Sequence, residues 1–132
     1  MNLYCLPEFE SEYLKIKKNK KYPDIEEVFR DSFFGKSFED CAHGDMLYGP
    51  VELPFLKKRV PDAGGYRFYF LACPETKCVY FTHVHPKTGP LGYDNVGPKY
   101  KKEIHKNALQ AFKDGSILTV YVDKKTNDIA FK

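Results

Sequence analysis

The stretch that decides the fold is residues 55–92, which read FLKKRVPDAGGYRFYFLACPETKCVYFTHVHPKTGPLG. Side chains on a β-strand alternate between two faces, and with this period the stretch divides into strands at roughly 55–60, 66–73 and 78–85. The segments PDAGG and PETK between them are rich in turn-forming residues. We therefore predict a three-stranded antiparallel meander.

These strands carry an unusual number of cationic and imidazole side chains. The alternation places Lys57 and Arg59 on one face of their strand, and it places His83, His85 and Lys87 together on theirs. Because these two histidines share a face, we expect that they are not both buried. Such a face is suited to a negatively charged ligand.

Outside the meander, helical patterns dominate. Phe9, Tyr13 and Ile16 form an apolar stripe after Pro7, and a second helix follows Asp24, which with Glu27 resembles a capping box. The two helices predict an N-terminal helical hairpin, preceded by a short strand at 2–6. Residues 36–54 read as a loop with one short strand. A third helix is expected over 98–113, and a two-stranded hairpin follows around 124–127 (KKTN).

Together these elements predict an α+β fold, with the helical hairpin packed on an antiparallel sheet and an additional C-terminal helix and hairpin. The 132 residues suit a single domain, 1–132, with a core over about 3–112 and a C-terminal extension over about 113–132. The sequence starts with neither a signal peptide nor a long apolar run, so we expect no membrane association and a cytoplasmic location. Four cysteines are then expected to stay reduced, with a disulfide or metal clip between Cys73 and Cys78 as the alternative.

The small net charge and its uneven distribution along the chain indicate a local basic face on a nearly neutral protein. The chain carries 21 Lys and Arg against 18 Asp and Glu, a net charge of only +3. Acidic residues are frequent before residue 54, and cations concentrate later in the chain. The later group comprises Lys57, Lys58, Arg59, Lys99, Lys101, Lys102 and Lys106. Such a distribution favours one anionic partner bound at one place.

The order of these elements resembles the RelE/ParE superfamily of bacterial toxins, and in particular its RelE- and HigB-like ribonuclease branch. The resemblance rests on PEFESEYLKIKK, on FLKKRV followed by GGYRFYFL, and on CVYFTHVHPKTG. It spans roughly residues 3–112. Its most specific part is Lys57-x-Arg59 followed by Gly65-Tyr66-Arg67. The C-terminal helix and hairpin depart from the family, whose members often end soon after the last core strand.

The resemblance implies a toxin of a toxin–antitoxin pair that cleaves messenger RNA, usually on the ribosome, without a metal or another cofactor. A base takes the proton of a ribose 2′-hydroxyl, cations balance the phosphorane charge, and an acid protonates the leaving oxygen. The implied catalytic residues are Lys57, Arg59, Arg67, His83 and His85. Lys87, Lys99, Lys102 and Tyr69 are the corresponding candidates for binding RNA. The implied partners are a cognate antitoxin, messenger RNA and the ribosome, and a homo-oligomer is compatible.

Each of these residues also has a structural interpretation. A histidine on a strand is commonly a hydrogen-bonded packing residue, and Arg67 would be satisfied by a salt bridge to Glu52 or Asp62. Lys57 and Arg59 would serve equally as charges on an edge strand. Lys58 is expected to point away from them, to solvent. Lys99–Lys106 has the pattern of a solvated helix face, and Tyr69 that of a core residue.

Two other functions remain open alongside the ribonuclease. The first is a non-enzymatic, ParE-like toxin that inhibits DNA gyrase by binding it. The second is a domesticated binding module of the same fold without catalytic activity. It would be favoured if Arg67 and His85 were buried in structural bonds.

Overall fold

A computed structural model describes residues 2–61, 65–92 and 98–132. In chain order the elements are β1 (Asn2–Cys5), α1 (Pro7–Lys18), α2 (Ile25–Phe33), α3 (Phe38–Cys41), β2 (Asp45–Tyr48), β3 (Phe55–Val60), β4 (Tyr66–Cys73), β5 (Cys78–Pro86), α4 (Pro98–Asp114), β6 (Leu118–Val122) and β7 (Ile129–Phe131). The predicted strands and three longer helices are therefore confirmed. The short helix α3 lies where a loop was expected. Much of the predicted turn at 61–65 and the end of the loop after β5 fall outside the described residues.

The strands form one seven-stranded sheet in the order β2-β3-β4-β5-β1-β6-β7. Neighbours are antiparallel except β1 and β5, which run parallel with Leu3 opposite Val79. The prediction of an antiparallel sheet is wrong at this place, since alternation records which face a side chain occupies and not the direction of the strand. The C-terminal segment also differs from an appended extension, because β6 pairs with β1 and continues the sheet.

Helices α1 and α2 pack together on one face of the sheet. The apolar stripe of α1 is fully buried, as are the apolar positions of α2. The rings of Phe9 and Phe29 meet edge to face at 5.5 Å, and Lys17 pairs with Glu26 at 3.1 Å across the two helices. Acidic residues begin α1 and basic residues end it, which suits the helix dipole. The predicted helical hairpin packed on the sheet is therefore present.

Two local predictions are wrong on this side of the sheet. The Asp24 carboxylate makes no cap bond to α2, and it accepts a hydrogen bond from the hydroxyl of buried Tyr66 at 2.7 Å. Lys58 does lie on the opposite face from Lys57, but that face is covered by helices. Its ammonium is half-buried over the ring of Phe33 and donates to backbone carbonyls of residues 32 and 40. Asp24 and Lys58 therefore contact residues far away in the sequence, which tertiary packing alone brings close to them.

The opposite face of the sheet is covered by α4. Ile104 and Ala108 of this helix pack with Tyr69 and Leu71 of β4 and with Phe55 of β3 in a second apolar cluster. Strand β4 is therefore buried on both faces, which explains its nearly continuous apolar sequence. The remainder of this face, along the first half of β4, holds the cationic and imidazole side chains.

Replacing Phe29 with Ala should lower the free energy of unfolding by about 4 kcal/mol, because the deletion leaves a cavity in the main core. The Phe29 ring lies between 5.0 and 5.7 Å from six other aromatic rings. Urea unfolding measures the change. Phe34→Ala, at the half-buried end of the same helix, is the matched control and should cost about 1 kcal/mol. Equal losses would contradict this account of the core.

Candidate functional site

Strand register brings the predicted site residues together on the face shared with α4. Two rows of directly opposed residues cross β3, β4 and β5. The first row is Arg59, Arg67 and His85, and the second is Lys57, Tyr69 and His83. The five residues predicted to be catalytic therefore lie on one surface. Of the residues predicted to bind RNA, Tyr69 lies within it, and Lys87 follows the end of β5.

A β-bulge places the two histidines on this face. Phe81 opposes Phe70 in the main core, yet His83 opposes Tyr69 on the other face, because the register shifts between Tyr69 and Phe70. Thr82 is the extra residue, and its hydroxyl donates to the Tyr69 carbonyl at 3.2 Å. Strict alternation from Phe81 would have turned His83 into the core. Val84, the apolar residue between the two histidines, lies in the same core as Phe81. Phe81 and Val84 are three positions apart, and this odd spacing of apolar residues was the sequence signal for a bulge.

The centre of the site is buried. Exposed fractions are 1% for His85, 5% for His83, 6% for Lys57 and 8% for Arg67, and Tyr69 is completely buried. The expectation that the two histidines are not both buried is wrong. Their rings lie 5.8 Å apart, and both lie within 6 Å of the Tyr69 ring, so they shield one another. Tyr69 presents no face for stacking on a base.

Hydrogen bonds fix the orientation of the His85 ring. Nδ1 lies 2.7 Å from the Pro86 carbonyl oxygen, which can only accept, so Nδ1 carries the proton. Nε2 lies 2.8 Å from the Tyr69 hydroxyl. When the ring is neutral, Nε2 is therefore the acceptor and Tyr69 the donor. This is the orientation in which a histidine takes a proton at Nε2.

Positive charge accumulates around Lys57. Burial and, after it, the charge of Arg59 lower the pKa of Lys57, and Arg67 and Lys101 act in the same direction. Asp45 opposes them. Lys101 belongs to the basic helix α4; the sequence placed it in the basic group of the second half of the chain but not among the catalytic or RNA-binding residues. The first turns of α4 therefore contribute to the electrostatics of the site.

Arg67 is a buried cation without a described counter-charge. Among the described residues it forms no ion pair, and its Nε has no hydrogen-bond partner. The proposed partner Glu52 is exposed and unpaired with it, and Asp62 lies outside the described residues. The guanidinium lies beside Gly65, since a Cβ there would lie 3.6 Å from Nη1. Burying such a group is costly unless an anion compensates it.

The rim of the site is open to solvent. Arg59 lies 3.7 Å from Asp45 in an exposed ion pair, and Lys87 is exposed beside Gly65, next to Arg67. Lys99 and Lys102 are exposed on α4. Strand β2 pairs outside β3, so Lys57 and Arg59 are not charges on an edge strand. The arrangement is a buried centre of cations and imidazoles bordered by exposed cations.

His105 is a further residue at this side of α4 that the sequence did not single out. Its ring meets Tyr48 of β2 edge to face at 5.1 Å, and burial lowers its pKa. Among the described residues its Nε2 has no hydrogen-bond partner. It lies one helical turn after Lys101 and packs α4 against the end of β2.

Within residues 2–61, 65–92 and 98–132, no three metal-binding side chains come together as ligands, and no helix has the length and apolarity needed to cross a bilayer. No protein-family model matches the chain, and no curated protein matches it with significance.

The free energy of unfolding should fall as the pH drops from 7 toward 4, because His83 is buried. Burial, and after it the nearby His85, lower the pKa of His83 to about 4, whereas a histidine in an unfolded chain titrates near 6.5. Between these values the unfolded chain binds a proton that the folded chain does not. The full effect is about 3 kcal/mol.

His83→Gln should remove most of this pH dependence, which urea unfolding at pH 7, 6 and 5 measures. His43→Gln at an exposed position is the control and should keep the wild-type slope. An unchanged slope in His83→Gln would show that His83 is not desolvated in the folded protein.

Neutral His85 should be the Nδ1–H tautomer, because the Pro86 carbonyl accepts from Nδ1. Long-range ¹H–¹⁵N correlation spectra of histidine-labelled protein distinguish the two tautomers. Tyr69→Phe should keep this tautomer but shift the Nε2 resonance toward that of an imidazole nitrogen without a hydrogen bond. Phe55→Leu, beside Tyr69 in the same apolar cluster, is the control and should leave the shift in place. An Nε2–H tautomer in the wild type would contradict the assigned hydrogen bonds.

Proposed function

We propose that this protein is an endoribonuclease toxin of the RelE/HigB-like kind, which cleaves messenger RNA without a metal in the cytoplasm. The observation that carries the proposal is Arg67, a buried guanidinium with no described counter-ion, set between Arg59 and His85 in one row of the sheet. A phosphate group supplies the missing charge, and a guanidinium binds it with two parallel hydrogen bonds.

The side chains provide each role that cleavage by a ribose 2′-oxygen requires. The 2′-oxygen attacks the neighbouring phosphorus, and the bond from phosphorus to the 5′-oxygen breaks. His85 is the base: its Nε2 takes the proton of the Tyr69 hydroxyl as that hydroxyl takes the ribose proton. Arg67 offsets the negative charge that builds on the phosphorane.

Lys57 is the proposed acid that protonates the leaving 5′-oxygen. It lies directly opposite Tyr69 on the neighbouring strand. Its lowered pKa makes its ammonium a better proton donor than an exposed lysine. His83, which is held neutral by burial, keeps a further positive charge away from the pair of His85 and Tyr69.

The exposed cations at the rim have a different role, which is to bind the RNA backbone. Arg59 and Lys87 border the buried centre, and with the exposed Lys99 and Lys102 of α4 they form electrostatic contacts that do not depend on sequence. The same rim suits docking on ribosomal RNA. It also suits an acidic antitoxin segment that covers the site and folds as it binds.

Burial of the reacting groups favours a second candidate, a non-catalytic binding module of the same fold. His85 and Tyr69 are closed to solvent and hydrogen-bonded to each other, as structural residues often are. In this alternative Arg67 and the rim still bind an anionic partner, but no bond is cleaved. Cleavage by the leading mechanism requires that substrate binding opens a path to Tyr69.

The double variant Arg67→Met/His85→Gln should fold normally yet lose the growth arrest caused by expressing the wild-type chain alone. Loss of the cation and of the base should slow cleavage at least about 100-fold. Primer extension on messenger RNA after induction, with translation active or blocked, measures the cuts. The matched control is Lys77→Ala, because Lys77 is an exposed cation at the opposite end of the β4–β5 hairpin.

Each outcome separates the candidates. Cuts that require translation and vanish in the double variant support a ribosome-dependent ribonuclease. Growth arrest with intact RNA would overturn the ribonuclease and direct attention to gyrase. Binding of RNA or a partner without cleavage would favour the non-catalytic module. Undiminished cleavage by the folded double variant would show that the active site is elsewhere.

A further inference from the structure

A pair of cysteines closes the hairpin between β4 and β5. Cys73 is the last residue of β4, Cys78 is the first of β5, and the two are directly opposed in the strand register. The turn between them, residues 74–77, ends at Lys77, whose φ of 57° lies in the left-handed region. This turn fixes the ends of the two strands, and with them the two cysteines.

The register places the two residues at a separation that a disulfide requires. Directly opposed residues of antiparallel strands have Cα atoms about 4.5 to 5.5 Å apart. Disulfides in proteins join Cα atoms about 4.4 to 6.8 Å apart. Both cysteines are present as free thiols. The Cys78 thiol donates to the Thr76 carbonyl oxygen at 3.5 Å. Burial and, after it, the two neighbouring cysteines raise the pKa of Tyr80 to about 12.

The other two cysteines have the opposite environment. Cys5 and Cys41 are completely buried in the main core. Burial raises the pKa of the Cys5 thiol to about 12, and it raises that of Cys41 as well, so both remain protonated and unreactive. Cys73, in contrast, is half-buried at the surface, where an oxidant in solution reaches it.

We propose that Cys73 and Cys78 form an oxidative modification site, in which a hydroperoxide converts the two thiols into a cross-strand disulfide. The Cys73 sulfur attacks one peroxide oxygen and becomes a sulfenic acid, while the O–O bond breaks and the other half of the hydroperoxide leaves as an alcohol, or as water when the oxidant is hydrogen peroxide. The Cys78 sulfur then displaces hydroxide from that sulfenic acid, forming the S–S bond and releasing water. Two thiols lose two electrons and two protons in total, and the peroxide takes both.

The disulfide stabilises the protein without entering the candidate site. It joins the ends of β4 and β5 at the hairpin, six residues along β4 from Arg67. Lys77 in the turn also accepts a hydrogen bond from Asn2 of β1 through its carbonyl oxygen, so the cross-link anchors three strands. A disulfide stabilises a protein more when it closes a longer loop, and this one closes a short loop. We therefore expect a rise in Tm of only several degrees.

Tryptic mapping tests the proposal, because a cleavage site lies between the two cysteines. Purified wild-type protein is treated with hydrogen peroxide, free thiols are alkylated under denaturing conditions, and the protein is digested. The expected product is peptide 68–77 joined to peptide 78–87, lighter than the two reduced peptides by two hydrogen atoms and separated by dithiothreitol. The treated protein should also show the higher Tm, which dithiothreitol reverses.

Matched variants complete the test. Cys73→Ser and Cys78→Ser should each abolish both the linked peptide and the rise in Tm, whereas Cys41→Ala should keep both. Sulfinic or sulfonic acid at Cys73, cross-links between molecules, or a disulfide to Cys5 or Cys41 would overturn the proposal. So would a linked peptide without any rise in Tm. None of these outcomes depends on whether the chain cleaves RNA.

Discussion

Double burial of β4 is the constraint on which the rest of the structure depends. One face of this central strand packs Phe68 and Phe70 beneath the N-terminal helices, and the other packs Tyr69 and Leu71 beneath α4. A one-residue slip of β4 would exchange these faces and place Arg67 in the aromatic core. The apolar packing of two layers therefore holds the register that assembles the site.

The site also depends on the β-bulge at Thr82. It allows β5 to place Phe81 in the main core and still turn both histidines toward Tyr69 on the other face. A regular strand would satisfy only one of these demands. Bulges frequently redirect side chains beside functional sites, and here the redirected residue completes the hydrogen bond between Tyr69 and His85.

The electrostatic cost of the site is the strongest indication of its use. Lys57 and Arg67 are buried among further cations, and the pKa of Lys57 falls in response. A fold selected only for stability gains nothing from such a cluster, whereas an anionic ligand offsets its cost when it binds. Because His85 and Tyr69 are buried, an anion at the exposed rim would not by itself reach the Tyr69 hydroxyl.

The sequence by itself determined the strands and the three longer helices, since apolar periodicity in residues such as Phe9, Tyr13 and Ile16 is local. It also determined that Lys57 and Arg59 share one face of their strand. Only the tertiary structure decided that β1 runs parallel to β5, that Lys58 is covered by helices, and that Tyr69 donates to His85. These features depend on which segments meet across long separations in the chain. The alternation of side chains within one segment does not show which strand it pairs with or whether the two run parallel. It also does not predict a bulge that arises because residues of one strand must pack on both faces of the sheet.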